Sequence, residues 1–343
     1  MKRTLTILLS AVLVCASHIA GAQTAPKIGG YAITTFKAND AEGAGGGEGF
    51  SVRLVRFYVS GKILENVDYK FQAQLNGTPH MRDYYFEWVK FPQFRVKVGQ
   101  FKRPFTYENP FNPWDLGNGD YSLGVRSLAA IAVDRCGAPT AGGRDQGVQI
   151  QGDLLPLGSD GHRLLHYQIG VFNGNGINAA DNNADKDLIG TLQLQPLKGW
   201  SIGAFGWLGN WTKDGITVER NRWSVGTKYD REGWSARAEY IKSYGHKLSE
   251  YNTETGSWSG TGIADAFYVT CGVPVKSWLK MAIAYDQYRD QGNEQTRHSL
   301  YSIAANFRPH KNLQLQLSYR YHENKLLADP YYNELWFEAF FRF

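Results

Sequence analysis

The chain has 343 residues, a formal net charge of +5, 14% aromatic residues and 38 glycines. Beyond residue 22 no apolar run approaches twenty residues, which excludes a membrane-spanning helix. Of the three cysteines only Cys136 and Cys271 lie beyond that point, too few for a disulfide framework in an exported chain this long.

Residues 1–22 read as a secretory signal peptide. Lys2 and Arg3 precede the apolar run 5–14, and Ala20-Gly21-Ala22 offers a small-x-small cleavage site before Gln23. Val14 is the wrong residue before Cys15 for lipoprotein cleavage. Residues 23–343 are expected to form one domain, either a soluble exported fold or a β-barrel in an outer membrane.

Along that domain period-two alternation is nearly continuous and helical periodicity is hard to find. About sixteen segments alternate, and most have the nine to thirteen residues needed to cross a bilayer at a tilt. They start near residues 27, 51, 66, 81, 93, 145, 162, 187, 199, 222, 233, 262, 276, 297, 311 and 331. In 69–76, for example, Tyr69, Phe71, Ala73 and Leu75 oppose Lys70, Gln72, Gln74 and Asn76.

Connection lengths decide between the two classes. Every second connection is tiny: Glu65-Asn66, Pro92, Lys198-Gly199, Glu232-Gly233, Pro274-Val275 and Pro309-His310. Those between, at 38–49, 102–144, 174–186, 209–221 and 245–261, are long and mostly rich in Gly, Asn and Asp. A soluble sandwich has no reason to segregate loops by parity, whereas an outer-membrane barrel has short periplasmic turns and long external loops. The last segment alternates Leu335, Phe337, Ala339, Phe341 and Phe343, which resembles the signal read by barrel-insertion machinery. Trp200, Trp223, Trp234, Tyr240 and Trp278 sit near segment ends, as aromatic girdles do. The expected fold is an all-β transmembrane antiparallel barrel of about sixteen strands, with the long third loop folded into the lumen.

That loop opens with "VGQFKRPFTYENPFNPWD", residues 98–115. Pro104, Pro110 and Pro113 remove backbone donors and stop a strand, while Phe105, Tyr107, Phe111 and Trp114 can anchor a compact loop to a wall. The run "VRLVRFYVSGKILENVDYKFQAQLNG" followed by "FRVKVGQFKRPFTYENP" resembles the phosphate-selective porin O and P family, over roughly 50–115. The resemblance implies a sixteen-stranded barrel, usually trimeric, that passes small anions by diffusion. By position it matches Arg53, Arg56, Lys97, Lys102 and Arg103 to the family's basic pore-lining residues. Arg95 shares the lumen parity, and Arg126 and Arg135 lie in the long loop, completing the candidate constriction set. No arginine ladder assembles, because acidic residues on the same faces nearly balance the basic ones. Arg53 and Arg56 have opposite parity, so a bulge is needed if both face the lumen. Porin function with weak anion preference is therefore carried over, without phosphate specificity.

Other constellations carry less. His298 and Ser299 are adjacent on a strand and so point to opposite faces, and His162 and His166 are too far apart along a strand to share a metal. No GxSxG, HExxH or CxxC occurs, so no enzyme, cofactor or metal is expected. "DNNADKD" at 181–187 lacks the glycine and closing glutamate of a calcium loop and reads as an external loop, at most bridging cations to lipopolysaccharide. "GAGGGEG" at 43–49 reads as a flexible external loop. Cys136 and Cys271 are expected as free thiols. Expected partners are small anions and hydrophilic solutes, outer-membrane lipid, the insertion machinery and two further copies of the chain, and no nucleic acid. A plugged barrel serving as an adhesin is the alternative.

Overall fold

The computed structural model describes residues 25–41, 47–157 and 161–343; the signal-peptide reading of 1–22 and the lipidation question at Cys15 lie outside these. Among the described residues twenty strands follow one another, sixteen of them in the barrel wall. The first five are β1 (Lys27–Asn39), β2 (Gly47–Leu64), β3 (Val67–Gln74), β4 (His80–Phe91) and β5 (Phe94–Lys102). The long segment 103–143 comes next, then β6 (Arg144–Leu157), β7 (His162–Phe172), β8 (Asp187–Leu197) and β9 (Trp200–Leu208). A small external hairpin, β10 (Asn210–Lys213) and β11 (Ile216–Glu219), precedes β12 (Asn221–Arg231) and β13 (Trp234–Tyr244). A second, β14 (Tyr251–Asn252) and β15 (Ser257–Trp258), precedes β16 (Ile263–Lys276). The wall finishes with β17 (Leu279–Arg289), β18 (Arg297–His310), β19 (Leu313–Asn324) and β20 (Tyr331–Arg342).

All wall strands pair antiparallel with their sequence neighbours, and β1 closes the ring on β20 from Tyr31↔Arg342 to Asn39↔Glu334. Closure leaves no exposed sheet edge, the condition a β-structure must meet in lipid. Alternation decides the faces. In β9, Ser201, Phe205 and Trp207 are buried while Ile202 and Leu208 are exposed. Phe57, Phe71, Phe86, Val98, Val148, Ile169, Leu192, Val225, Ile283, Ile303 and Leu317 continue that outward apolar band around the ring. An apolar belt of this extent has no place in water and is the surface a hydrocarbon core requires.

The sequence boundaries hold closely, with four instructive differences. Pro274 and Pro309 read as turn residues in the sequence, but β16 and β18 run on to Lys276 and His310. Both prolines sit at register shifts, Pro274/Lys276 and Phe307/His310, where a missing N–H breaks no ladder bond. The expected loops 209–221 and 245–261 carry the hairpins β10–β11 and β14–β15. In the glycine-rich stretch, Gly47 and Gly49 pair with Asn39 and Lys37 as strand residues, and positions 43–46 lie outside the described residues.

Two bulges turn arginines toward the lumen. Between β1 and β2, Ile33 faces Leu54 and Thr34 faces Val52, so Arg53 is the extra residue. Between β3 and β4, Gln72 faces Asp83 and Ala73 faces Met81, so Arg82 is the extra residue. A bulge shifts the alternation by one. Arg53 thereby joins Arg56 on the inner face, and Arg82 joins Asp83.

Candidate functional site

The segment 103–143 is clamped to inward-facing residues of many strands. Its rings do part of this: Phe105 meets Trp207 edge-on with centroids 5.5 Å apart, Tyr107 meets Phe205 at 4.9 Å, and Trp114 meets Phe340 at 5.8 Å. A short helix, α1 (Leu123–Leu128), lays Gly124 against Ala266 so closely that an added Cβ would come within 2.1 Å of the alanine Cβ. Its Val125 and Leu128 pack with Ile241 in one buried cluster.

The backbone of 116–123, which has no ladder, finds its partners on the wall. Arg237 donates to the Leu116 carbonyl (2.9 Å), Asn306 to Gly117 (2.8 Å), Arg320 to Asn118 (3.3 Å) and Arg53 to Gly119 (2.5 Å). The Leu123 N–H donates to the Asp286 carboxylate. The segment thus touches β2, β9, β13, β16, β17, β18, β19 and β20. The prolines and aromatics of 98–115 are the means by which a strandless chain is held there.

An ionic cluster holds the return limb. Arg103, Arg220 and Arg222 all lie over the Trp207 ring, 4.6 to 4.8 Å from its centroid. Asp145 pairs with Arg103 (3.2 Å), Asp187 with Arg220 (2.5 Å) and Asp134 with Arg222 (2.5 Å). Three cations, three carboxylates and one indole are buried together, with Arg103 and Asp134 supplied by the segment, Arg220 by the link between β11 and β12, and the others by the wall. Coulombic attraction from Arg222 and Arg220 overrides the upward push of burial and holds the Asp134 carboxyl well below the usual range.

Next to the roots of the segment a cavity of about 290 Å³ remains against β2–β6. Six cations line it, Arg56, Lys70, Lys97, Lys102, Arg103 and Arg144, against one lining carboxylate, Asp83. Asp83 is already engaged by Arg144 (2.6 Å) and Lys70 (3.3 Å). Two of the other cations meet carboxylates just outside the lining, Lys97 with Glu87 (3.0 Å) and Arg103 with Asp145 (3.2 Å), so the near-balance of charge read from the whole sequence conceals a local excess of positive charge. Arg82 adds to it from the bulge. It is buried, forms no ion pair among the described residues, and lies so close to Gly142 that a Cβ there would fall 1.8 Å from Nη2. Since Gly142 also has φ +59°, Gly142→Ala should misplace Arg82 and the segment's end. We expect it to lower the yield of folded, heat-modifiable barrel on gels.

The candidate residues divide by role. Arg56 and Lys97 face the cavity, Arg56 donating to Tyr31 Oη (2.7 Å) and Lys97 pairing with Glu87 (3.0 Å). Lys102 lines it but spends its ammonium on the carbonyls of Asn109 and Phe111 (2.6 Å each), clipping the segment's start. Arg103 belongs to the Trp207 cluster. Arg53, three residues along β2 from Arg56, ties Asp120 (2.8 Å) and Glu338 (2.8 Å) together outside the cavity lining. Arg126 pairs with Asp120 at the outer end. Arg95 pairs with Asp153 (2.7 Å), away from the cavity. Arg135 is consumed by the carbonyls of Asp290 and Gly245. Sequence reasoning misses Arg82 because plain alternation sends it outward, and misses Lys70 and Arg144 because each looks compensated.

The other motifs are accounted for. His298 shares a hydrogen bond with His322 (2.9 Å), and Ser299 points to the opposite face. His166 pairs with Asp153 (2.7 Å). Asp181 is taken by Lys186 (2.5 Å) and Asp187 by Arg220, which leaves 181–187 no open ligand set. Cys136 is buried and Cys271 half-buried, both free of disulfides.

Asp120 gives a pH prediction. Burial raises its pKa, but Arg53, Arg126 and Arg320 outweigh this and hold it at about 2. A depressed carboxyl stabilises above its unfolded value of about 4 and loses that stabilisation as pH falls toward the folded value. Single-channel current should therefore be steady from neutrality to about pH 4 and become noisy toward pH 2, where Asp120 releases Arg53 and Arg126. Noise appearing only on the alkaline side would refute this.

The comparisons agree with the geometry. The family model described as phosphate-selective porin O and P matches residues 31–110. An anion-selective porin from Comamonas acidovorans superposes with a TM-score of 0.70 at 12% identity, covering 93% of this chain and 99% of that one. The fold is that of the outer-membrane porin barrels. The outer-membrane channel DcaP of Acinetobacter baumannii superposes on this barrel with a TM-score of 0.66 at 14% identity, over 95% of this chain and 100% of that one. The trimer form of OmpT from Vibrio cholerae gives 0.62 at 11%, over 93% and 99%. No curated protein matches the chain by sequence.

Proposed function

We propose that the porin is a passive channel for small hydrophilic solutes with a preference for anions. Its constriction would be the gap between the β2–β6 wall and the 103–143 segment, which crosses the lumen and narrows it. One observation carries this reading: the cavity beside the segment's roots is lined by six cations and one carboxylate, and that carboxylate is already spent on two of the cations. Such a surface lowers the entry barrier for anions and raises it for cations. The trimeric OmpT relative supports assembly as a homotrimer.

The test is the zero-current potential of the purified protein in a planar bilayer under a KCl gradient. We expect the sign of chloride permeation. A potential of cationic sign would reject the anion preference, and the absence of channels would favour a plugged barrel. A trimer should run as a slow band on unheated gels and collapse to one chain's mobility on boiling.

A further inference from the structure

The outer wall carries a feature that conduction does not use. Near the external ends of β13–β19, charged side chains lie on the outward face, above the apolar band: Lys242, Asp265, Arg289, Arg297 and Glu323. Below them, Tyr285, Tyr301 and Tyr321 stand directly opposite one another across β17, β18 and β19, with centroids 5.0 and 6.2 Å apart. A tyrosine row of this kind sits at the level where hydrocarbon gives way to headgroups. The charges above it are then at headgroup depth.

Arg289 and Arg297 are direct cross-strand partners. Like charges in that position repel unless an anion sits between them. The anion present is Glu294, from the connecting loop, whose side chain is 54% exposed. It lies 3.3 Å from Arg289 Nη1, 3.5 Å from Arg297 Nη1 and 3.8 Å from Lys325 Nζ. Three cations from three elements thus share one carboxylate at long range. The rest of each guanidinium is fixed in the wall: Arg289 holds Asp265 with two bonds of 2.8 Å, and Arg297 Nη2 holds Glu323 at 2.5 Å. Their Nη1 groups are left aimed at one point by rigid partners.

We infer that this point is a docking site for the phosphate of an outer-leaflet lipid headgroup, with Glu294 occupying it when the lipid is absent. A phosphate monoester has more charge and more acceptor oxygens than a carboxylate and suits paired guanidinium donors better. Its acyl chains would run down over the Tyr285–Tyr301–Tyr321 row onto the apolar band. Asp265, Glu323 and Lys242 are the other charged groups facing the site; the carboxylates are neutralised by Arg289 and Arg297, and Lys242 lies 3.4 Å from Asp265. The inference rests on the outer-membrane reading, which sets the lipid at this depth.

The test is a titration of the detergent-solubilised porin with diphosphoryl lipid A, followed by native mass spectrometry, beside the same lipid stripped of phosphate. The intact lipid should bind and the stripped one should bind at least tenfold more weakly, since charge-assisted bonds supply the difference. Arg289→Ala with Arg297→Ala should cost about tenfold in affinity, while Glu294→Gln should strengthen binding about threefold by removing the competitor. Equal binding of both lipids, or a Glu294→Gln variant that binds no better, would overturn the site. Conductance measured on the same preparations separates the two readings: normal channels with phosphate-independent binding sink only the lipid site.

Discussion

Asp134→Ala is expected to free the 103–143 segment from the wall and raise single-channel conductance while leaving the barrel closed. Asp134 is the carboxylate partner of Arg222 and lies 3.9 Å from Arg220, and all three are buried. Removing it leaves guanidinium charge in the protein interior with only Asp187 and Asp145 nearby among the described residues. Breaking a buried pair from one side costs about 3–5 kcal/mol, because the stranded charge keeps its desolvation penalty. The wall strands keep their own ladders, so the cheapest relief is for the segment to leave. Cys136, two residues on, reports the event. Burial pushes its thiol up to about 12, and the ring of Trp211 belongs to the same buried cluster. Maleimide labelling of the Cys271→Ser background should be slow in the parent and at least tenfold faster in Asp134→Ala, as the thiol returns toward its ordinary acidity. Faster labelling without higher conductance would mean that the segment does not narrow the lumen.

The wall was legible from the sequence because its physics is periodic. Side chains at Tyr69, Phe71 and Ala73 must face lipid and those at Lys70 and Gln72 must not, so the face of β3 is written in its residues. Loop parity then supplied closure. What could not be read were departures from the period. Arg82 obeys the outward parity of Tyr84 and Phe86 on paper, and only the extra residue opposite Gln72 and Ala73 turns it inward. The same device at Arg53 was inferable, because Arg56 gave it a neighbour of opposite parity. Pairings across the ring were hidden as well. Nothing near Lys102 in sequence says that its ammonium serves the carbonyls of Asn109 and Phe111 rather than solutes, and nothing near Arg135 says that it caps carbonyls of two distant loops. Charges summed by face looked balanced, since a sum has no positions. The positive cavity exists because Asp83 sits beside Arg144 and Lys70, while Arg56 and Arg82 have no carboxylate of their own among the described residues.

Arg82→Gln should weaken anion preference more cleanly than any other single change near the cavity. Replacing Lys97, Lys102 and Arg103 together would test charge and segment attachment at once, because Lys102 and Arg103 are fasteners. Replacing Arg144 or Lys70 would strand Asp83. Arg82 has no ion pair among the described residues to break, and glutamine preserves much of its length and some donors. Its charge acts on a permeating ion through the field it shares with Arg56 and Arg144. At about 10 Å and an effective dielectric near 20, one unit charge contributes about 1.7 kcal/mol before screening. One Debye length at about 0.1 M salt reduces this to roughly 0.6 kcal/mol for each ion, of opposite sign for anion and cation, or about an eightfold fall in the anion-to-cation permeability ratio. Lowering the salt to about 0.01 M should widen the difference between parent and variant, because the screening length grows threefold. A ratio unchanged at both salts would place the path of the ions elsewhere in the barrel. A salt-independent change would point instead to a shift in segment position, and Cys136 labelling would then rise with it.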